Sequence, residues 1–308
     1  MGEQGLSLLD VLGRDAGLEP VSNLAEAWAL YRDGRSSGHA PFEAAVSAAS
    51  QVDRLAFAFS VGYPAALERM VPGVDFPAAL CVTEAKGNTP RSTETSLEAD
   101  GSDNRLRGTK SFVTFGNLAT TLIVSARIGE RPDGRPDIAV VRVPANRQGV
   151  TLQKLPDTPF VPEVPHAAVR FENVSVSSTE RLPGDGYLGY VKPFRTIEDI
   201  HVVGATLGYL LGLARRTGGA SVLAAELSAN LLSLDRLRIA EPLDPRVHVA
   251  LHGVYESVGR LIGGQMFAAL LAAAPAAERD RWERDQALLR VASKARAARF
   301  ETAQKVLG

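Results

Sequence analysis

Two threonines, Thr83 and Thr114, lie on short segments that each predict a strand with one accessible face. Residues 80–84 and 108–116 alternate apolar or aromatic side chains with polar ones, a pattern typical of half-buried strands. Asp100 and Gly101 form a tight-turn signal between the segments. Two neighbouring strands that each present a threonine offer two neutral hydroxyl donors to one flat heterocycle. The alternative is that both are ordinary strand-forming residues on an amphipathic sheet.

Two histidines, His248 and His252, have the i, i+4 spacing that helical zinc sites use. No nearby cysteine or carboxylate completes a tetrahedron, so we expect a hydrogen-bonded or exposed pair and no metal site. Cys81 is the single cysteine, which excludes an internal disulfide and is typical of a reducing cytosol.

The composition is that of an ordinary globular protein. The chain has 308 residues, of which 45% are hydrophobic and 22% charged, with a net charge of -1. This balance gives no reason to expect nucleic acid or an anionic membrane as a partner. The N-terminus lacks a signal pattern, and the longest apolar run, Val202 to Ala214, is too short to span a bilayer. We expect a soluble, cytoplasmic protein.

Apolar periodicity divides the chain into three regions: a helical domain over 1–78, a β-domain over 79–187 and a helical bundle over 188–308. The expected class is α+β, with a middle antiparallel β-barrel or sandwich and a C-terminal four-helix bundle. The predicted helices span 6–12, 23–31, 41–70, 196–214, 220–240, 245–274 and 276–307, and the predicted strands span 79–84, 109–115, 121–126, 138–144, 150–154 and 167–174.

Gly204, Gly208 and Gly212 repeat every four residues on one helix face. Small residues in this pattern let a second helix approach closely, so we interpret the stripe as a packing device rather than a ligand site. Lys294, Arg296 and Arg299 interleave with alanines and predict a solvated or inter-subunit face.

The order of these segments resembles the middle β-domain of the acyl-CoA dehydrogenase family: Val82-Thr-Glu, a loop, Asp100-Gly, then Gly108-Thr-Lys-Ser-Phe-Val-Thr. The helical–β–helical arrangement is also similar, and the resemblance is strongest from Leu80 to Arg216. It implies an FAD-dependent oxidoreductase of lipid metabolism that removes two hydrogens across the α,β bond of an acyl-CoA. A carboxylate takes the α proton and flavin N5 accepts the β hydride.

The resemblance also implies the flavin contacts. Thr83 and Thr114 would meet the flavin, with Val82 and Val113 supplying backbone groups. Phe112 occupies the place where the family usually has a tryptophan, so it keeps a ring for stacking and loses the indole N–H.

The loop after Glu84 departs from the family pattern. The family continues Pro-x-Ala-Gly-Ser-Asp, whose small residues let the loop close over flavin and thioester, whereas this chain has Ala-Lys-Gly-Asn-Thr-Pro-Arg-Ser. Only Gly87 and Ser92 stand in for those small residues, and we expect them to bind substrate.

Glu198 is the catalytic base that the resemblance implies. Its register before Gly204 and Gly208 resembles the subset of the family, such as the isovaleryl-CoA enzymes, whose base lies on this helix. The commoner base of the family is expected beyond Gly308. The next residue is Asp199 rather than the usual arginine, an added negative charge that would raise the proton affinity of Glu198 if both are buried.

A structural alternative exists for the same segment. Thr196 followed three residues later by Asp199 is close to a capping box, and acidic residues in a first turn suit the helix dipole. His201 lies on nearly the same face as Glu198 and is a second, weaker candidate for the proton acceptor.

Two further departures concern the adenine end of FAD. Residues 233–245 lack the family's Arg-x-x-Phe-Gly segment, and the sequence ends at Gly308 before the family's Gly-Gly turn. In the family these elements bind the cofactor of a neighbouring subunit. The resemblance therefore implies a heteromer with a second acyl-CoA dehydrogenase-like subunit, and an electron-transferring flavoprotein as acceptor. The alternatives are a non-catalytic scaffold subunit of such a complex, a homo-oligomer, or a flavin monooxygenase on the same fold.

Overall fold

The structure is a computed structural model that describes residues 7–13, 19–101, 103–218 and 221–308. Leu6 and Ala220, where two predicted helices begin, lie outside the described residues. The described chain forms two compact units. Unit 1 comprises the described parts of Met1–Arg69, Pro159–Glu163 and Thr196–Gly308, and unit 2 comprises Met70–Thr158 and Val164–Arg195. The division into three domains at 78 and 187 stays a prediction.

The helices begin and end where local chemistry favours it. Asn23 accepts a hydrogen bond from the Glu26 amide at 3.0 Å and so caps α2, and Asp244 caps α7 with Pro245 at its first position. Each of the predicted helices over 41–70, 245–274 and 276–307 is divided into two. The helices are α1 Leu8–Gly13, α2 Leu24–Ser36, α3 Pro41–Ala49, α4 Leu55–Met70, α5 Lys192–Arg216, α6 Ser221–Arg238, α7 Pro245–Ile262, α8 Gln265–Ala273, α9 Ala276–Asp285 and α10 Ser293–Leu307.

The glycine stripe on α5 packs directly against α3 in unit 1. A Cβ atom at Gly208 would lie 2.6 Å from the Val46 carbonyl oxygen, and one at Gly212 would collide with the Ser50 carbonyl. The prediction that these glycines are a packing device is confirmed, because any side chain would force the two backbones apart.

One helical stretch, Tyr187–Arg216, is long and apolar enough to cross a membrane by length and composition. Its most apolar window has a mean hydropathy of 1.3 and is 89% buried inside the protein. Such burial is that of a core helix, whose apolar surface is already covered by protein.

Unit 2 contains a seven-stranded sheet with the order β1-β4-β2-β3-β7-β6, and β5 pairs with β4. β1 and β2 run parallel to β4, and the other pairs are antiparallel, so the sheet is mixed rather than wholly antiparallel. The α+β class with helices, a curled sheet and C-terminal helices is confirmed. The strands are β1 Ala78–Cys81, β2 Ser96–Asp100, β3 Asp103–Thr114, β4 Thr121–Glu130, β5 Pro136–Pro144, β6 Val150–Lys154 and β7 His166–Val176.

Asp100 and Asp103 are paired at the closed end of the β2–β3 hairpin, where the sequence predicts the tight connection. Gly101 has a φ of +64°, which glycine adopts without steric cost. Strand β2 itself is not predicted, because Leu97 is the one buried residue among its five. Its neighbours β3 and β4 determine its conformation.

Candidate functional site

The two segments that carry the candidate flavin residues lie side by side in unit 2. The amide of Ser111 donates a hydrogen bond to the Thr83 carbonyl at 2.8 Å. The pairing of β3 with β7 is shifted between Lys110 and Val113, so Phe112 adopts a φ of +55° and leaves the regular strand. The bulge turns the Phe112 side chain out of the ladder. The structure therefore brings residues 82–83 next to 110–112.

An exposed aromatic ring marks this edge. The Phe112 side chain is 55% exposed and stacks on the His166 imidazole, with ring centroids 4.3 Å apart and planes at 29°. Thr114 is half-buried and is the register partner of His166, whereas the Val113 side chain is buried in the core. Phe112, Thr114 and His166 are thus brought together at the end of β3.

The chemistry of this group of residues fits a flat heterocycle with a polar edge. Burial lowers the pKa of His166 and keeps its imidazole neutral near pH 7. Its Nδ1 atom is buried and has no hydrogen-bond partner among the described residues. A buried polar atom beside an exposed ring suits a ligand that stacks and also hydrogen-bonds.

A buried ion pair anchors the same segments. Lys110 Nζ lies 2.7 Å from Glu84 Oε1 and also donates to Ser125 Oγ at 3.2 Å and to the Val82 carbonyl at 3.4 Å. Glu84 further accepts the backbone amides of Glu94 and Thr95. Burial acts to raise the pKa of Glu84, but the Lys110 ammonium and the amides outweigh it and hold that pKa below its usual value.

The loop from Ala85 to Thr95 is ordered by its own hydrogen bonds. Gly87 exchanges two backbone hydrogen bonds of 2.9 Å with Glu84 at a φ of +119°. Ser92 Oγ accepts from the Thr89 amide at 2.9 Å and donates to the Thr89 carbonyl at 2.8 Å. A Cβ atom at Gly87 would lie 3.6 Å from Ser92 Oγ. The two residues are neighbours, and their substrate-binding role stays a prediction.

Glu198 lies on α5 in unit 1, is half-buried, and lines a cavity of about 670 Å³. The cavity is bounded by α5, by α7, by the 3₁₀ turn Gln286–Arg290 and by the start of α10. Its volume is within the range of sites that enclose small organic ligands. The apolar lining residues are Phe59, Val202, Val203, Val258, Ile262, Leu288, Leu289 and Val291.

Asp199 does not add an unpaired negative charge next to Glu198. Its carboxylate is buried and forms ion pairs with Arg296, at 2.9 Å, and with Arg299. The prediction of a solvated face is therefore wrong for these two arginines. The capping-box interpretation is also wrong, because Thr196 lies inside α5, which begins at Lys192.

The histidines do not form an alternative centre. His201 is buried outside the cavity lining, with Nδ1 2.7 Å from the Ile197 carbonyl oxygen, and burial lowers its pKa to about 4. His248 Nε2 lies 3.0 Å from the Pro242 carbonyl oxygen, and His252 stacks on Phe300 with centroids 3.7 Å apart. No group of three or more metal-ligating side chains occurs in the described part of the chain.

Two groups of charged residues in unit 2 are not predicted by the sequence. The first is the Glu84–Lys110 pair, whose only signal is a lysine at an inward position of an alternating strand. The second is a set of cations, Arg91, Arg131, Arg135 and Lys192, that line a cavity of about 390 Å³. These four residues lie on three separate segments, so no local pattern indicates the set.

Comparisons with known proteins identify sequences and folds to which this chain is similar. The family described as "Acyl-CoA dehydrogenase, middle domain" matches residues 79–174. The probable acyl-CoA dehydrogenase YngJ of Bacillus subtilis is 27% identical over 136 residues, which are 44% of this chain and 35% of YngJ. The matched segment thus spans about a third of that relative.

Two solved structures have the same fold. Butyryl-CoA dehydrogenase from Megasphaera elsdenii superposes with a TM-score of 0.63 at 16% identity, covering 88% of this chain and 84% of its own. The prolyl acyl carrier protein oxidase AnaB gives a TM-score of 0.60 at 17% identity, covering 86% and 82%. The chain is thus similar to acyl-CoA dehydrogenases in sequence over residues 79–174, and it has the fold of their solved structures.

Proposed function

We propose that this chain is a subunit of a flavin-dependent dehydrogenase that removes two hydrogens across the α,β bond of an acyl thioester such as an acyl-CoA. The observation that carries the proposal is that Glu198 lines an apolar cavity of about 670 Å³ in unit 1. A carboxylate beside a largely apolar cavity is suited to abstract a weakly acidic proton from a carbon α to a thioester.

The charges around Glu198 support its role. Asp199 is committed to Arg296 and Arg299, so the adjacent acid does not compete for the substrate proton. Val202 and Val203, on the next turn of α5, line the same cavity and would hold the acyl chain beside the carboxylate.

The edge of the sheet in unit 2 would hold the cofactor. Thr83 and Thr114 would donate hydrogen bonds to the flavin, Phe112 would stack, and Val82 and Val113 would supply backbone groups. Gly87 and Ser92 would contact the thioester. When bound, FAD supplies the acceptor for the hydride that leaves the β carbon.

A second subunit of the same family is part of the proposal. Residues 233–245 lack the arginine segment that binds the adenine end of FAD in the family, and a partner chain would supply it. Electrons would pass to an electron-transferring flavoprotein, in the cytoplasm.

The visible absorption spectrum tests cofactor binding. The purified chain is measured alone and after co-expression with a full-length family member encoded nearby. Flavin bands that appear only with the partner support the shared site. Bands in the lone chain contradict the need for a partner, and no flavin in either preparation contradicts a flavin enzyme.

The variant Glu198→Gln tests the base in the flavin-loaded complex. Gln keeps the size of the side chain but cannot accept the α proton, so dehydrogenation of an acyl-CoA should fall by about a thousandfold or more with flavin content unchanged. Glu256→Gln is the matched control, because Glu256 lines the same cavity from α7 and should retain activity. Activity in Glu198→Gln close to that of the control would assign the base elsewhere.

A further inference from the structure

A second cavity, of about 390 Å³, lies in unit 2, and its lining consists of cationic and uncharged residues. It is formed by the turn around Pro90, by the β4–β5 hairpin and by the π-helical turn Tyr187–Val191 with the following lysine. Its nine lining residues include four cations and no acid: Thr89, Pro90, Arg91, Arg131, Arg135, Pro136, Tyr187, Leu188 and Lys192.

The cavity has an excess of positive charge. Arg131 is held by Asp185 at 2.7 Å and by Asp137 at 3.4 Å, and Arg135 lies 3.4 Å from Asp133 in an exposed pair. Arg91 and Lys192 have no acidic partner among the described residues. Both are exposed, and two like charges at one cavity favour a bound anion.

A third cation extends this surface. Arg195 donates a hydrogen bond to Asn88 Oδ1 at 2.9 Å, and Asn88 directly precedes the lining residue Thr89. A neutral amide satisfies one guanidinium nitrogen without neutralising its charge. Arg91, Lys192 and Arg195 therefore form one basic surface, which we call the basic rim.

The uncharged residues narrow the chemistry of the ligand. Guanidinium groups with neighbouring hydroxyls of Thr89 and Tyr187 suit a phosphate, which accepts several hydrogen bonds at once. Leu188 is 46% exposed in the same lining. A free inorganic anion gains no contact from an exposed leucine. A protein with an acidic surface and an apolar side chain beside it would contact both the cations and Leu188.

We propose that the basic rim docks a small acidic acyl carrier protein, and that the cavity takes the phosphate of its phosphopantetheine arm. The inference rests on the proposed function, because it assigns the carrier of the acyl thioester to that site. The position of the cavity supports the proposal. Its lining residues Thr89 to Arg91 belong to the loop that Glu84 anchors, and Glu84 directly follows the candidate flavin residue Thr83. The phosphate would lie on the outer side of the loop, and the thioester arm would follow the loop inward.

Binding to the complete purified chain tests the proposal without flavin or turnover. The probes are the acyl carrier proteins encoded in the source genome, each with and without its phosphopantetheine, together with coenzyme A and adenosine 3′,5′-bisphosphate. Titration calorimetry or NMR titration should detect a phosphopantetheinylated carrier protein that binds at least about tenfold more tightly than coenzyme A. Its affinity should fall steeply between about 50 and about 300 mM salt, because screening weakens exposed charge contacts.

The double variant Arg91→Gln/Lys192→Gln should weaken carrier binding at least about tenfold and reduce its salt dependence. Arg170→Gln is the matched control. Arg170 is an exposed cation on β7, separated from β4 by β2 and β3, and should bind the carrier as wild type does. Equal weakening in both variants would show a non-specific charge effect and overturn the site.

Two results would overturn the carrier assignment itself. The first is binding of coenzyme A as tight as that of every carrier protein, and the second is no binding of any carrier protein. The dehydrogenase proposal fails on a different observation, the absence of flavin or of a Glu198-dependent reaction, so the two failures are distinguishable.

Discussion

Lys110 Nζ and Glu84 Oε1 lie 2.7 Å apart in the interior of unit 2, and the exposed fractions of their side chains are 0% and 4%. The pair joins three strands and a loop: Glu84 follows β1, Lys110 is on β3, Ser125 on β4 supplies a further hydrogen bond, and Thr95 ends the loop. A buried charge pair rarely adds net stability over an apolar pair of the same shape. Its value here is positional, because it fixes both ends of the loop that follows Thr83.

Lys110→Met should destabilise the protein strongly. The variant leaves the Glu84 carboxylate buried without its counter-ion, which costs about 3–5 kcal/mol in comparable cases. Urea unfolding monitored by circular dichroism measures the change in the free energy of unfolding. Lys86→Met is the matched control in the same loop, because Lys86 and Glu94 form an exposed pair, and it should unfold as wild type does.

A double variant separates charge from shape. Lys110→Met with Glu84→Gln removes both charges and should recover part of the stability that Lys110→Met alone loses. If the double variant loses as much stability as the two single variants together, the cost lies in packing and not in the uncompensated Glu84 charge.

Gly212→Ala should destabilise unit 1 by more than about 2 kcal/mol, because the added methyl group collides with the Ser50 carbonyl oxygen and cannot be relieved by a side-chain rotation. Gly253→Ala on α7 is the control. A Cβ atom there meets nothing within 4 Å, so the variant should gain about 0.5–1 kcal/mol from helix propensity. Thermal unfolding of both variants measures the difference, and equal effects would contradict the close approach of α5 to α3.

The sequence predicts those features in which local pattern and tertiary environment agree. The stripe Gly204, Gly208 and Gly212 favours close packing of a second helix, and α3 packs against it. The strand that ends at Thr114 follows from its pattern of buried and exposed residues. Thr83 lies two residues beyond the end of β1, which pairs with β4 and not with β3. β2 is missed because it is polar and depends on its two neighbours for its conformation.

The pairing of charged residues is the part of the site that could not be predicted from the sequence. Lys110 is 26 residues from its partner Glu84, and a single sequence does not reveal which distant carboxylate makes a buried lysine tolerable. For Asp199 the sequence indicates an unpaired charge next to Glu198. Its two arginine partners are 97 and 100 residues away, so the pairing that neutralises Asp199 is not visible in the local sequence. The basic rim likewise depends on segments joined only by the fold.

The buried imidazole of His201 should make stability depend on pH. Its pKa in the folded protein is about 4, below the ordinary value of 6.5, because burial disfavours the charged form. The folded state therefore binds fewer protons than the unfolded state between these values. The contribution is fully present above about pH 6.5 and is lost as the pH falls toward 4, by about 3 kcal/mol in total.

His201→Gln isolates this contribution, because its amide can donate to the Ile197 carbonyl, which the imidazole contacts at 2.7 Å, but does not titrate. Urea unfolding at several pH values from about 8 to about 4 should give parallel curves of stability for the two proteins above pH 7. Below pH 6.5 the wild type should lose stability faster than the variant, since only it must keep a basic group unprotonated in the interior. Parallel curves over the whole range would mean that water reaches the imidazole and that α5 is less tightly packed around His201 than its 1% exposure indicates.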